Sequence, residues 1–218
     1  RVESFLEHER QRWSALDPSL DDPLRALRDL VLTGGKRLRP AFCHWGFVAA
    51  GGDPDHTTIV DAGAAFELLQ AFALIHDDVM DGSAVRRGAP AVHHQFMTSH
   101  ETTTGAGESR RFGEGVAILV GDLAFVYADQ LLPAGPVEVA QLWNELRIEL
   151  NAGQYLDLIG TATARRDRAA SRRIARYKSG KYTIERPLQL GAALAGGHDR
   201  LAEPLSRYGD PLGEAFQL

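Results

Sequence analysis

Apolar residues recur at helical spacing along nearly the whole chain, and alternation of period two never persists beyond a few positions. Residues 22–35, DPLRALRDLVLTGG, predict a short helix with Asp22 as its cap, Pro23 at its first position and glycines at its end. Residues 39–52, RPAFCHWGFVAAGG, are apolar on most sides and predict a buried helix. Residues 53–81 open on an Asp-Pro pair, are rich in alanine and predict a long central helix. Residues 115–132, 137–163 and 168–196 predict three more, with Pro187 kinking or stopping the last. The polar stretch MTSHETTTGAGESRRFGEG, residues 97–115, reads as a mobile surface loop. The fold class expected is all-α, in one domain, with no internal repeat.

Composition changes little in that picture. The chain has 218 residues, 44% of them hydrophobic and 24% charged, with a net charge of −5. This is ordinary globular composition, and the acidic balance speaks against a nucleic-acid partner. A single cysteine, Cys43 in an apolar run, excludes an internal disulfide framework. It reads as a small buried hydrophobe in a reducing, cytoplasmic compartment. No apolar run approaches about 18 uninterrupted residues, so no membrane span is expected. The chain starts at Arg1 and stops in mid-pattern at GEAFQL, and both ends are expected to be cut.

The abrupt feature is LLQAFALIHDDVMDGSAVRRG, residues 68–88, where an apolar helix ends in three aspartates. Asp77 and Asp81 are one turn apart and share a face, with Asp78 beside them. Carboxylates crowded at a helix C-terminus repel one another and oppose the helix dipole. A hard divalent cation relieves this. Magnesium takes oxygen ligands, keeps waters and is commonly held by one or two carboxylates together with substrate phosphates. Arg86 and Arg87 follow within a loop short enough to fold back, and arginine is a natural bidentate partner of phosphate. Two further basic clusters are GGKRLRP, with Lys36, Arg37 and Arg39, and YKSGKYT, with Lys178, Ser179 and Lys181. With the acids, they suggest a site for two polyanions, one bridged by magnesium. No Ser-His-Asp or Cys-His nucleophile is visible, and His76 reads as a packed residue beside the acids.

In order along the chain, GGKRLRP, LLQAFALIHDDVMDGSAVRRG, VGDLAF, AGQYLDL, YKSGKYT and GEAFQL resemble the signature regions of the trans-isoprenyl diphosphate synthases, the polyprenyl synthetases. The resemblance is closest to the geranylgeranyl diphosphate synthases. It implies a helical bundle around a deep central cavity, usually a homodimer, that condenses isopentenyl diphosphate head to tail with an allylic diphosphate. It implies that Asp77 and Asp81 hold magnesium, with Asp78 in support. Lys36, Arg39, Gln70 and Arg87 would hold isopentenyl diphosphate. Arg86, Lys178, Ser179 and Gln217 would contact the allylic diphosphate. Gln154 and Asp157 would line the same cavity, Asp157 helping to orient Lys178.

The family's second aspartate-rich motif normally follows FQL almost at once, and this sequence stops before it. The natural chain is therefore expected to continue. Family members set product length with the side chains four and five positions before the first aspartate, here Ala73 and Phe72. On a helix Ala73 lies ~40° from Asp77 and Phe72 ~140° away. A small residue beneath the metal and a large one off that line resemble the C20-forming members, so geranylgeranyl diphosphate is the product expected. Two other readings compete: a class I terpene cyclase, which needs no isopentenyl site, and an inactive partner subunit of such a synthase.

Overall fold

A computed structural model of the chain describes residues 1–103, 106–163 and 167–216, and they form an all-α protein. The chain divides into two compact units, each discontinuous in sequence. Residues 1–36 and 64–132 make the first, and 37–63 with 133–218 make the second.

The first unit contains α1 (Val2–Ser14), α2 (Asp21–Leu32), most of α4 (Thr57–Asp81), α5 (Val92–Thr103) and α6 (Ser109–Leu131). Its core gathers Leu6, Leu27, Phe66, Leu69, Ile75 and Val120, all at most 2% exposed. Between α4 and α5 a two-residue antiparallel pair, β1 (Val85–Arg86) and β2 (Ala89–Pro90), closes over Arg87 and Gly88. Both turn residues have positive φ, 52° and 80°, as a tight two-residue hairpin requires.

The second unit contains α3 (Leu38–Ala49), α7 (Val137–Thr163), α8 (Arg168–Ile174), a π-helical segment (Ala175–Glu185), α9 (Arg186–Leu194) and α10 (His198–Phe216). Trp143, Leu146, Ile184 and Leu190 are at most 2% exposed. Two close approaches set its packing. Gly191 lies against the Cys43 backbone, where any Cβ would overlap the carbonyl oxygen. Gly180 and Gly213 meet backbone to backbone, each leaving only about 3 Å for a side chain on the other. Cys43 is fully buried, and its thiol is pushed well above the ordinary range by that burial.

Several expectations are corrected. Residues 97–115 are not a loop: α5 runs to Thr103 and α6 starts at Ser109, leaving only 106–108 outside a helix among the described residues. Packing of α5 on α6 outweighs their weak propensities. Gly113 lets the two backbones meet at His93 and Met97, and an Arg110–Glu114 pair at 2.6 Å adds support. Asp22 does not cap α2. A 3₁₀ turn, Pro18–Leu20, runs straight into the helix, and Asp17 caps that turn by accepting from the Ser19 amide at 2.8 Å. The long helix begins at Thr57, because Asp53 and Pro54 belong to a turn. α3 is buried on one face only; Trp45 on the other is 62% exposed. Pro187 neither kinks nor stops its helix. It lies in the first turn of α9, and the irregularity is the π segment before it.

α4 is long and apolar enough, by length and composition, to cross a membrane, although no uninterrupted run suggested it. More than half of its apolar window is buried inside the protein, as in a core helix, and it ends in three aspartates.

Candidate active site

In the first unit the site is built on the C-terminal turn of α4. Asp77 is half-buried, Asp81 one turn on is exposed, and Asp78 is 2% exposed. The hairpin turns the chain back so that Arg86 reaches this turn. Its Nε donates to Asp78 Oδ1 at 2.8 Å, its Nη2 donates to the same oxygen, and Nη2 lies 3.4 Å from Asp77 Oδ2. The Asp78 hydrogen bond raises the Arg86 pKa against the opposing effect of partial burial. Asp78 is thus the main anchor of Arg86, Asp77 lies half-buried beside it, and Asp81 is the exposed member of the cluster.

Arg87 goes the other way. Its Nη1 donates to the Thr33 carbonyl at 3.0 Å, and the carbonyls of Leu30 and Gly34 lie at 3.4 Å. Leu30 lies in the last turn of α2, Thr33 is its C-cap and Gly34 follows, so a cation sits where the helix dipole is negative. Desolvation lowers its pKa, with Arg86 adding to the effect, yet a guanidinium stays charged. The guanidinium lies beside Gly35, which precedes the exposed Lys36. Gln70 is half-buried, and its Oε1 is buried with no hydrogen-bond partner among the described residues. A small cavity of about 60 Å³ lies against Asp78, Arg86, Arg87 and Gln95.

Ala73 lies one turn before Asp77 on the same face. Phe72 turns toward α6, its ring 4.8 Å from Phe125 and 4.7 Å from His76. His76 Nε2 lies 3.1 Å from the Ile118 carbonyl and 3.7 Å from Asp122.

In the second unit the candidate residues gather on the π segment. Lys178 Nζ donates to Asp157 Oδ2 of α7 at 2.6 Å. Arg39, in the first turn of α3, lays its guanidinium 4.2 Å above the Tyr182 ring and donates to Thr183 Oγ1 at 2.8 Å. Tyr182 is 2% exposed, and burial pushes its hydroxyl up to about 12. Ser179 and Gln154 are half-exposed. Gln217 lies outside the described residues. The division between the units falls between Lys36 and Arg37, so GGKRLRP contributes Lys36 to one and Arg39 to the other.

One basic residue is reassigned. Lys181, grouped by sequence with the phosphate-facing cations, has a side chain only 13% exposed and donates to Glu149 Oε1 at 2.8 Å. Arg186 joins it, with Nε to Glu149 Oε2 and Nη2 to Oε1, both at 2.7 Å. Burial alone would raise the Glu149 carboxyl, but the bonds from Arg186 and Lys181 outweigh it and its pKa is lowered. Sequence reading missed Glu149 and Arg186. The only trace was an acid between Leu146 and Leu150 on the apolar stripe of α7.

Among the described residues, no three or more His, Cys, Asp or Glu side chains gather around one point as a closed metal site. Asp77 and Asp81 offer hard carboxylate oxygens on one face, with Asp81 open to solvent. That donor set fits magnesium, which leaves most of its shell to water and phosphate.

The polyprenyl synthetase family model matches residues 22–218. The chain is 30% identical to a short chain isoprenyl diphosphate synthase of Methanothermobacter thermautotrophicus, covering all of this chain and 63% of that protein. It is 31% identical to a geranylgeranyl diphosphate synthase of Methanosarcina mazei, covering 99% of this chain and 65% of that one. A crystal structure of geranylgeranyl pyrophosphate synthase from Corynebacterium glutamicum, complexed with isoprenyl diphosphate and magnesium, superposes with a TM-score of 0.93. It is 36% identical over all of this chain and 64% of its own. The chain thus spans somewhat under two thirds of the length of these relatives. That family model covers nearly the whole chain, and the chain belongs to the polyprenyl synthetase family.

Proposed function

We propose that the protein is a magnesium-dependent trans-prenyltransferase. It condenses isopentenyl diphosphate with an allylic diphosphate, and its product is geranylgeranyl diphosphate or a similar trans-prenyl diphosphate. The observation that carries this reading is the geometry of the α4 terminus. Arg86 is anchored on the buried Asp78 with Asp77 beside it, while Asp81 one turn on is exposed. A purely structural acidic cluster has no use for that division.

Magnesium held by Asp77 and Asp81 would supply positive charge to the leaving diphosphate. Arg86 and Lys178 add fixed cations for the same diphosphate, with Ser179 and Gln217 as further contacts. Such preoriented charge is worth most where water is scarce. Lys36, Arg39, Gln70 and Arg87 hold isopentenyl diphosphate. The allylic C–O bond breaks and its electron pair leaves on the diphosphate. The isopentenyl double bond attacks the allylic carbon, and a proton passes to the departed diphosphate. Apolar walls keep water from the cation. Phe72 and Ala73 shape the space for the growing tail. The protein works as a cytoplasmic homodimer; the exposed Leu119 and Val126 of α6, one apolar stripe, support a face that pairs with a second copy.

The test is full-length protein with magnesium, farnesyl diphosphate and labelled isopentenyl diphosphate. A C20 diphosphate is expected. Hydrocarbon from a prenyl diphosphate alone indicates a cyclase, and binding without product indicates a partner subunit. The Ala73→Phe variant is expected to shorten the product by chromatography; an unchanged product length removes Ala73 as the determinant.

A further inference from the structure

A π-helix forms i→i+5 bonds and is rare beyond a single turn, so a run of this length needs support from its neighbours. The segment Ala175–Glu185 carries Lys178 and Ser179. α10 supports one side, where Asp210 accepts from Arg176 at 2.7 and 2.8 Å and Gly213 meets Gly180; the other side is held by one stripe of α7. Glu149, Gly153 and Asp157 lie four residues apart in succession and therefore share a face. At the base of the stripe, Glu149 clasps Lys181 and Arg186, one residue inside the segment and one just past its end. In the middle, Gly153 lies against the Lys178 backbone, where a Cβ would overlap the amide nitrogen. At the top, Asp157 takes the Lys178 ammonium at 2.6 Å.

Glu149 fixes the C-terminal end of the segment, and the close approach at Gly153 passes that register on to Lys178. The clasp is nearly neutral: two acids, Glu149 and Glu185, stand with two cations, Lys181 and Arg186. All four side chains are at most 15% exposed. On the far side α10 closes it, with Ser206 donating to Glu185 Oε1 at 2.8 Å and accepting from Gln189 at 2.8 Å. No ligand role is needed to explain these groups, and none of them is placed among the substrate contacts above.

We propose that Glu149 is a positioning residue for Lys178: by clasping Lys181 and Arg186 it holds the π segment in the register that presents Lys178 to the allylic diphosphate. This rests on the prenyltransferase reading, so the experiment has one arm that uses the reaction and one that does not.

The first arm is hydrogen exchange of the full-length protein, read by mass spectrometry over peptides within 175–185. Glu149→Gln is expected to speed exchange there at least severalfold while helices of the first unit keep wild-type rates. Asp157→Asn is expected to leave the segment protected. Unchanged exchange in Glu149→Gln, or equal loss of protection throughout the protein, overturns the clasp. Lys181→Met removes one arm only and serves if Glu149→Gln fails to fold; it carries the same expectation.

The second arm is a double-mutant cycle on the KM for the allylic substrate. Glu149→Gln is expected to raise it about tenfold in the wild-type background and less than twofold in a Lys178→Ala background, with the isopentenyl KM moving less than twofold in both. Equal effects in the two backgrounds, or equal effects on both substrates, overturn the inference. A protein that turns over no prenyl diphosphate at all refutes the function instead, and the exchange arm still decides the clasp.

Discussion

Arg86 and Lys178 are both site cations already held by an aspartate, yet the two pairs differ in kind. Asp78, the partner of Arg86, has a side chain 3% exposed. Asp157, the partner of Lys178, is 38% exposed and Lys178 itself 24%. A buried acid cannot release its cation without a large desolvation penalty, whereas an exposed pair exchanges partners at little cost. Arg86 is therefore a fixed charge, set before any ligand arrives. Lys178 is a charge on loan, which, under the proposed function, a diphosphate would take over from Asp157. The supports match: Arg86 hangs on a regular helix and a tight hairpin, Lys178 on an irregular helix that must be clasped from outside.

The largest effect expected lies outside both pairs, and it sets the scale. Asp77→Asn or Asp81→Asn should lower kcat by about 10²–10³-fold, the loss typical of removing one group that stabilises developing charge. Chelation of divalent metal should abolish turnover in the wild type. Steady-state assays check both, and near-wild-type turnover of either variant would place the metal elsewhere.

Next come the pairs themselves. Asp78→Ala removes the main partner of a half-buried guanidinium and should cost about 3 kcal/mol of stability. In a chain of this size that lowers Tm by roughly 6–12 °C. Asp157→Ala should cost under about 1 kcal/mol. Thermal unfolding of the two variants side by side breaks the comparison if their Tm values fall equally.

Lys178→Ala should raise the KM for the allylic substrate about 10–100-fold, the loss of one hydrogen bond from a charged group, and leave Tm nearly unchanged. A Tm loss matching that of Asp78→Ala would mean that Lys178 is as structural as Arg86.

The smallest effect concerns acid. The Glu149 carboxyl is lowered from the ordinary 4.5 in the folded protein. The unfolded chain therefore takes up the proton first as pH falls. The stabilisation is complete above about pH 4.5 and drains away below it as the folded carboxyl is titrated in turn. Urea midpoints at pH 7 and pH 4 should fall further for wild type than for Glu149→Gln. Parallel losses would assign acid sensitivity to other carboxylates.

The candidate residues of the first unit were far more legible in the sequence than those of the second. Asp77, Asp81, Arg86 and Arg87 lie within one short stretch, so helical spacing and a turn suffice to relate them. The link from Lys178 to Asp157 came from family motifs, and the clasp of Glu149 on Lys181 and Arg186 was invisible, because its partners lie 32 and 37 residues away. Period-based reading found α4 and α7 but took the Ser, Thr and Gly of residues 97–115 for a loop, since packing of α5 on α6 leaves no local signal. α1 and α10 also went unpredicted. In α10, Pro204 and Pro211 sit inside the helix and read as breaks. The π segment has the apolar spacing of an ordinary helix, so nothing in its pattern announces the extra residue per turn.

That extra residue has a consequence for how such a chain can change length. An α-helix over the same rise would need fewer residues, so the stretch 175–185 holds slack within a rigid element. Deleting one residue there would let it relax part of the way to ordinary α-helix, while the clasp at Lys181 and Arg186 keeps its downstream end in place. The slip would then fall upstream, turning Lys178 away from Asp157 by about a quarter-turn. A loss of one codon would thus act on the direction of a single charge.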